Sequence, residues 1–304
     1  MKFGIVTPSF NSRVFIRHTL DSVIAQAGPF EIDYLLVDGG STDGTLDLLR
    51  EYEARLATGE LKFACASGRL RWTSGRDNGM YDAIGKGLEA VEGDVQAWIN
   101  ADDVYFPGAF DAVRRIFERH PEVEWLKGVT SYIDERSRVY EDGRCWVYHR
   151  PWIARGVYGR ELHFIQQDSC FWRSELYRRS GGMNRSVRLA GDYDLWVKFG
   201  RTARLWSMNR AVSAFRKREG QLSRDMTAYF AECDRISPRP VNAVPGLRLY
   251  ERLSRTLPRP LARVLLSVLF RPRIEAFQWR AGEPVLFDAS AFWHSGLPLD
   301  DKAA

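Results

Sequence analysis

Within the first hundred residues, short apolar runs and segments of helical period alternate four times, and few folds tolerate that rhythm. Phe3–Thr7 reads as a strand stopped by Pro8. Asn11–Ala27 carries Ile16, Leu20, Val23, Ile24 and Ala27 at the spacing of one helical face, with Asn11 or Ser12 as cap and Gly28 just past its end. Ile32–Val37 is a second strand, followed by a helix turning Leu46, Leu49, Tyr52 and Leu56 inward. Leu61–Ala64 is a third strand, Met80–Val91 a third helix and Val95–Ile99 a fourth strand. Such alternation means parallel βαβ units, hence an α/β fold with an open, mostly parallel twisted sheet covered by helices on both faces.

In such sheets ligands bind beyond the carboxyl ends of the strands, so the residues there carry the functional information. The first strand ends in Thr7-Pro8-Ser9-Phe10-Asn11, which lacks GxGxxG, and the chain has no GxxxxGK[ST]. Dinucleotide-binding and P-loop chemistry are thereby set aside. The second strand delivers Asp38 into the glycine-rich run Gly39–Thr45, where its carboxylate can accept hydrogen bonds from a nucleobase imide. The fourth delivers Asn100-Ala101-Asp102-Asp103, followed by Pro107 and a helical pattern through Ala109, Phe110, Val113, Ile116 and Phe117. Two acids there either cap that helix or hold a hard divalent cation that shares its shell with substrate phosphates.

The four cysteines are widely spaced with no CxxC pair, and Met1–Gly4 begins no signal peptide; both fit reduced thiols in a cytoplasmic protein. No apolar run approaches the ~20 residues of a membrane span. The net charge of +5 is unevenly placed: Pro238–Gly282 holds nine Arg, no Lys and two Glu, leaving the rest of the chain net acidic. No nucleic-acid motif accompanies those arginines.

Four segments in order and in register resemble family 2 glycosyltransferases of the GT-A fold: Thr7–Asn11, Val37–Thr45, Arg76–Ile84 and Asn100–Asp103. The resemblance runs from about Phe3 to about Ser223. It implies a Rossmann-like nucleotide-binding half (1–107) and an acceptor half (108–223), with residues 224–304 as an Arg-rich helical extension. It implies that Pro8, Phe10 and Asn11 line the base and ribose pocket, that Asp38 reads the base edge and that Asp77 holds the nucleoside. Asp102 matches the metal-binding acid of the family's DxD motif, so a divalent cation (Mn or Mg) is implied; Asn100 replaces the first acid and keeps only a hydrogen bond to ribose.

In the second half, Trp125–Ile133 alternates as a strand and Asp134–Ser137 turns into a hairpin partner. Gln166-Gln167 stands where the family often has His-Gln. Leu189–Trp196 resembles the family's acid-bearing helix start, with Gly191 in a Glu place and Asp192 at the general base; Asp194 is the rival, and a helix cap is the plain structural role. Phe215–Ser223 resembles the segment closing the donor site, where Arg216 and Arg218 can meet a diphosphate, Arg218 standing where many relatives have a metal-ligating His. The function implied is inverting transfer of a sugar from a nucleotide donor, a UDP-sugar, to a hydroxyl of a glycan or lipid-linked acceptor. Asn100, Gly191 and Arg218 also fit a non-catalytic nucleotide- or glycan-binding descendant. In the tail, Leu247, Tyr250, Leu253 and Leu257 alternate with arginines ahead of the apolar Leu261–Phe270. That pattern suits a peripheral helix on the cytoplasmic face of an anionic membrane, or one docked on the domain or on a second copy in a homodimer.

Overall fold

A computed structural model describes residues 1–218, 221, 226–238, 247–258, 261, 265, 274–290, 296, 297 and 299. The first half comprises β1 (Lys2–Ser9), α1 (Ile16–Ile24), β2 (Gly28–Asp38), α2 (Thr45–Ala57), β3 (Cys65–Ser74), α3 (Met80–Ala90) and β4 (Val95–Trp98). Next come β5 (Val104–Tyr105), α4 (Ala109–Arg119), β6 (Trp125–Ile133), β7 (Val139–Glu141), α5 (Arg150–Ile153), β8 (Cys170–Arg173), α6 (Ser174–Arg179), α7 (Gly191–Thr202) and β9 (Leu205–Arg216). The tail adds α8 (Met226–Ile236), α9 (Leu247–Thr256), β10 (Glu275–Arg280) and β11 (Glu283–Asp288).

All the described strands join one mixed sheet, ordered β11-β10-β9-β6-β8-β4-β1-β2-β3, with β5 on β9 and β7 on β6. β1 pairs in parallel with both β2 and β4. The chain therefore winds outward on either side of β1, and the crevice at the carboxyl ends of β1 and β4 is the topological switch point. β1 shows why the sheet is two-sided: Phe3 and Ile5 enter the core under α1 and α4, while Val6 enters the opposite core under α3 and α7.

The expected elements shift in three places. β1 runs through Pro8, which pairs with Val37 of β2. Pairing with β4 ends at Val6, so a missing N–H at Pro8 breaks no ladder bond on that side. α1 begins at Ile16 rather than near Asn11, because Asn11 takes a left-handed conformation and spends its Oδ1 on Thr42 N–H. The third strand is Cys65–Ser74, not Leu61–Ala64. As an edge strand it is largely exposed, which hides it from an apolar pattern.

The tail is also more than helical. β10 pairs in parallel with β9 and in antiparallel with β11, so residues 275–288 extend the same sheet. Apart from Leu261 and Leu265, the Leu261–Phe270 stretch lies outside the described residues, as do Glu219, Gly220, Leu222 and Ser223. Among the described residues no helix is long and apolar enough to cross a membrane.

Candidate active site

Three strand ends meet at the switch point. At β2, Asp38 is 1% exposed and its carboxylate is engaged on all sides. Oδ2 accepts from Gly40 N (3.0 Å), Ser41 N (2.8 Å) and Ser74 Oγ (2.8 Å), and Oδ1 accepts from Ser41 Oγ. Ser41 Oγ in turn accepts from Asn11 N at 2.7 Å. Asp38 thus shapes the glycine-rich loop and ties it to β1 and β3. Asp77 closes over this loop: a Cβ on Gly39 would lie 2.9 Å from Asp77 Oδ2 and 3.4 Å from the Phe10 ring. Position 39 is glycine because that approach leaves no room. Phe10 itself is 64% exposed, an aromatic face turned to solvent beside the Asp77 carboxylate. A nucleobase, with an imide edge and a π-face, matches that set. Pro8 is buried within β1.

At β4 the two adjacent acids separate into different roles. Asp103 is fully buried, its Oδ1 accepting from Arg216 N (2.8 Å) and its Oδ2 from Asn100 Nδ2 (3.2 Å). Burial, reinforced by Asp102 and Asp168, pushes its carboxyl well above the ordinary range. Asp102 faces the crevice, and its Oδ2 accepts from Arg218 Nε at 2.7 Å. Arg216 differs from the expectation that it faces the donor. It is 0% exposed, and its guanidinium donates to Asp102 O, Asp134 O and Ser137 Oγ over the Phe15 ring. It braces the strand-end loop, which leaves Arg218 as the guanidinium at the crevice.

A hard divalent cation would take its protein ligands from oxygens such as these. Among the described residues no group of three His, Cys, Asp or Glu gathers, so no all-protein cage exists. Asp102 keeps Oδ1 outside its bond to Arg218, and Asn100 Oδ1 is buried without a hydrogen-bond partner. One anionic and one neutral oxygen suit a hard cation that completes its shell with water and substrate phosphate.

The start of α7 brings Asp192 to Tyr81 of α3, four residues beyond Asp77. Trp196, one turn on, stacks between Trp98 (5.7 Å, 11°) and Trp125 (5.0 Å, 24°). Each such pair adds about 0.5–1.5 kcal/mol beyond the area it buries, so the helix is fixed to the sheet. Asp192 lies in the first turn, with Ala190 at the cap position. Its Oδ1 accepts from Tyr193 N (2.8 Å) and from the Tyr81 hydroxyl (3.2 Å), which also reaches Leu189 O (3.2 Å). Burial outweighs those bonds and raises its carboxyl to about 6. A carboxyl poised there is half-matched to base catalysis near neutrality. Asp194, the rival, is buried against Lys198 at 2.7 Å and points into structure.

Sequence reasoning passed over Tyr81 and Phe15 as site residues, and it counted Asp103 with Asp102 as a cation-holding acid although Asp103 is buried on Arg216 N. Tyr81 sat inside a recognised motif, but its partners are 108 and 111 residues away.

The family model described as "Glycosyl transferase family 2" matches residues 4–180. The chain is 26% identical over 266 residues to the "PGL/p-HBAD biosynthesis glycosyltransferase" of Mycobacterium bovis, covering 87% of this chain and 94% of that one. It is 22% identical to an uncharacterized glycosyltransferase of Rickettsia typhi, covering 72% and 64%. Among solved structures, S. aureus TarS 1-349 superposes with a TM-score of 0.56 at 16% identity, over 90% of this chain and 72% of that one. The mannosyltransferase PcManGT from Pyrobaculum calidifontis, in complex with GDP-Man and Mn2+, does so with 0.52 at 16% identity, over 89% and 79%. Fold, strand-end residues and family model agree: the chain belongs to glycosyl transferase family 2 and is a glycosyltransferase of the α/β GT-A type.

Proposed function

We propose that the enzyme moves a sugar from a UDP-sugar to a hydroxyl of a glycan or lipid-linked acceptor, by a single inverting displacement. The observation that supports this reading is Asp192: a carboxyl raised to about 6 at the start of α7, bonded by the hydroxyl of Tyr81, four residues beyond Asp77. It takes the acceptor proton as the hydroxyl attacks the anomeric carbon, and the C–O bond to the diphosphate breaks. The donor nucleoside lies on Phe10, Asp77 and the Asp38 loop, with Asn11 holding that loop closed and Asn100 near the ribose. TarS in complex with UDP-GlcNAc supports a uridine donor through its shared fold.

Asp102 Oδ1 and Asn100 Oδ1 would hold a divalent cation, which when bound supplies positive charge against the leaving diphosphate. Arg218, now on Asp102, can turn to the diphosphate and pair with it through two parallel hydrogen bonds. The arginine-rich α9 supports contact with an anionic membrane on the cytoplasmic side, where a lipid-linked acceptor resides.

A thermal-shift screen of nucleotide sugars with and without Mn2+ tests the donor assignment, because a ligand at 100 times its Kd stabilises the native state by about 2.7 kcal/mol. UDP-sugars should raise Tm and GDP-sugars should not; the reverse would move the donor class.

A further inference from the structure

We propose that Glu232, on α8 beyond the family-matched region, is a positioning residue for the catalytic base: its carboxylate latches the 188–190 backbone that leads into α7 and so holds Asp192 in place. The inference rests on the reading of Asp192 as the base.

Three consecutive amides converge on this side chain. Arg188 N donates to Oε1 at 3.0 Å, Leu189 N to Oε2 at 2.7 Å and Ala190 N to Oε2 at 2.9 Å. Successive N–H groups turned to one point form an anion-binding concavity, and here the anion is a side chain from another helix. The three bonds outweigh burial and hold the Glu232 carboxyl below its ordinary range, so it stays ionised near neutrality. Ala190 is the cap residue of α7, and no side chain of its own segment caps that helix. Glu232 binds the amide of that cap residue from outside the segment, two residues before Asp192.

The same loop is held from the other side by the Tyr81 hydroxyl on Leu189 O and Asp192 Oδ1. Apolar packing of Ala190, Tyr193 and Val197 on Cys233, with Val187, Tyr229 and Ile236 alongside, seats α8 against α7. Glu232 is 9% exposed and its charged neighbour, Arg235, stands 3.7 Å away at the surface. A carboxylate this enclosed, with both oxygens on the loop, sets where the loop lies.

The groups facing Asp192 are Tyr81 of α3, Tyr229 and Cys233 of α8 and Cys170 of β8, all pushed up by burial and all neutral near pH 6. Asp103 and Asp168 are raised by burial as well, so the Asp192→Asn difference is what assigns a carboxyl titration near pH 6 to Asp192. Freeing the loop lets water reach that carboxylate and removes a nearby negative charge; both changes lower its pKa.

The test uses the full chain and its Glu232→Ala and Glu232→Gln variants. Amide exchange at 188–190 is read by hydrogen exchange, the Asp192 carboxyl by 13C NMR titration with Asp192→Asn as the subtraction control, and UDP release from UDP-GlcNAc, UDP-glucose and UDP-galactose by a coupled assay. In Glu232→Ala we expect exchange at 188–190 to rise by about tenfold or more as those donors lose their acceptor. The Asp192 titration should move acid-ward, and kcat should fall by about tenfold or more at unchanged UDP affinity, as misplacement of a reacting group does. Glu232→Gln, which keeps its shape and one carbonyl acceptor, should fall between. A folded variant with a lower Tm but parental titration and parental kcat overturns the proposal, because Glu232 would then be structural only. If Glu232→Ala does not fold, parental titration and exchange in Glu232→Gln overturn it equally. Should the parent release no UDP from any of these donors, the functional reading fails, and the exchange and titration still decide the latch.

Discussion

The ring of Tyr81 occupies the space that any side chain at position 191 would need. A Cβ on Gly191 would lie 2.4 Å from the ring carbons of Tyr81, while the Tyr81 hydroxyl bonds Asp192. The glycine at position 191 is therefore matched by an aromatic 110 residues earlier in the chain. Gly191→Glu should destabilise the protein by about 1–3 kcal/mol, as overpacking does. Combining it with Tyr81→Ala should cost less than the two single changes added together. Chemical denaturation of the four proteins reads the coupling, and strict additivity would show that the two sites are independent.

Tyr81→Phe keeps the ring and removes the hydroxyl. A hydrogen bond to the ionised carboxylate favours that form, so its loss raises the Asp192 pKa above about 6. The acid limb of the pH–rate profile should move to higher pH with little change in Tm. An unmoved limb would mean that the hydroxyl serves Leu189 O alone.

Asp192 should also appear in stability. Its folded pKa, about 6, stands above the ordinary carboxylate value, so the folded state binds the proton more tightly than the unfolded one. Stability then falls as pH rises from about 4 to about 6, and the full penalty is present above the folded pKa. Asp192→Asn should raise stability at pH 7.5 by an amount on the order of 2 kcal/mol, and the gain should vanish below about pH 4. Denaturation curves at both pH values check this; an Asn variant less stable at pH 7.5 would contradict the burial argument.

Arg218 holds the carboxylate of Asp102, the acid proposed to hold the cation. Arg218→His removes a guanidinium that cannot ligate and supplies an imidazole that can. Calorimetry with UDP present should show Mn2+ affinity rising by about fivefold or more, whereas Asp102→Ala should abolish Mn2+-dependent UDP binding. Unchanged Mn2+ binding in Asp102→Ala would move any cation site elsewhere.

Much of this site was legible in the sequence because its parts are local. Asp38, Asp77, Asn100 and Asp102 each follow a strand or open a helix, and local apolar period places strand ends well. What escaped was set by contacts distant in sequence. Arg216 and Arg218 are two residues apart at the end of one strand, and nothing local distinguishes the buried brace from the crevice-facing cation; Asp134, Ser137 and Phe15 do. Cys65–Ser74 escaped because an edge strand need not be apolar. The parallel seat of β10 on β9 escaped because the tail's arginines advertise helices and a charged surface, while only Ala276 and Phe277 of β10 pair with β9.

The central claim is that Asp192 is the general base of a nucleotide-sugar transferase. Its most direct test is the rate of UDP release by the parent and by Asp192→Asn, with the UDP dissociation constant measured on both. A general base contributes roughly 10²–10⁴-fold, so the variant should lose at least a hundredfold in rate with UDP affinity unchanged. A variant that retains more than about a tenth of the parental rate would contradict the account.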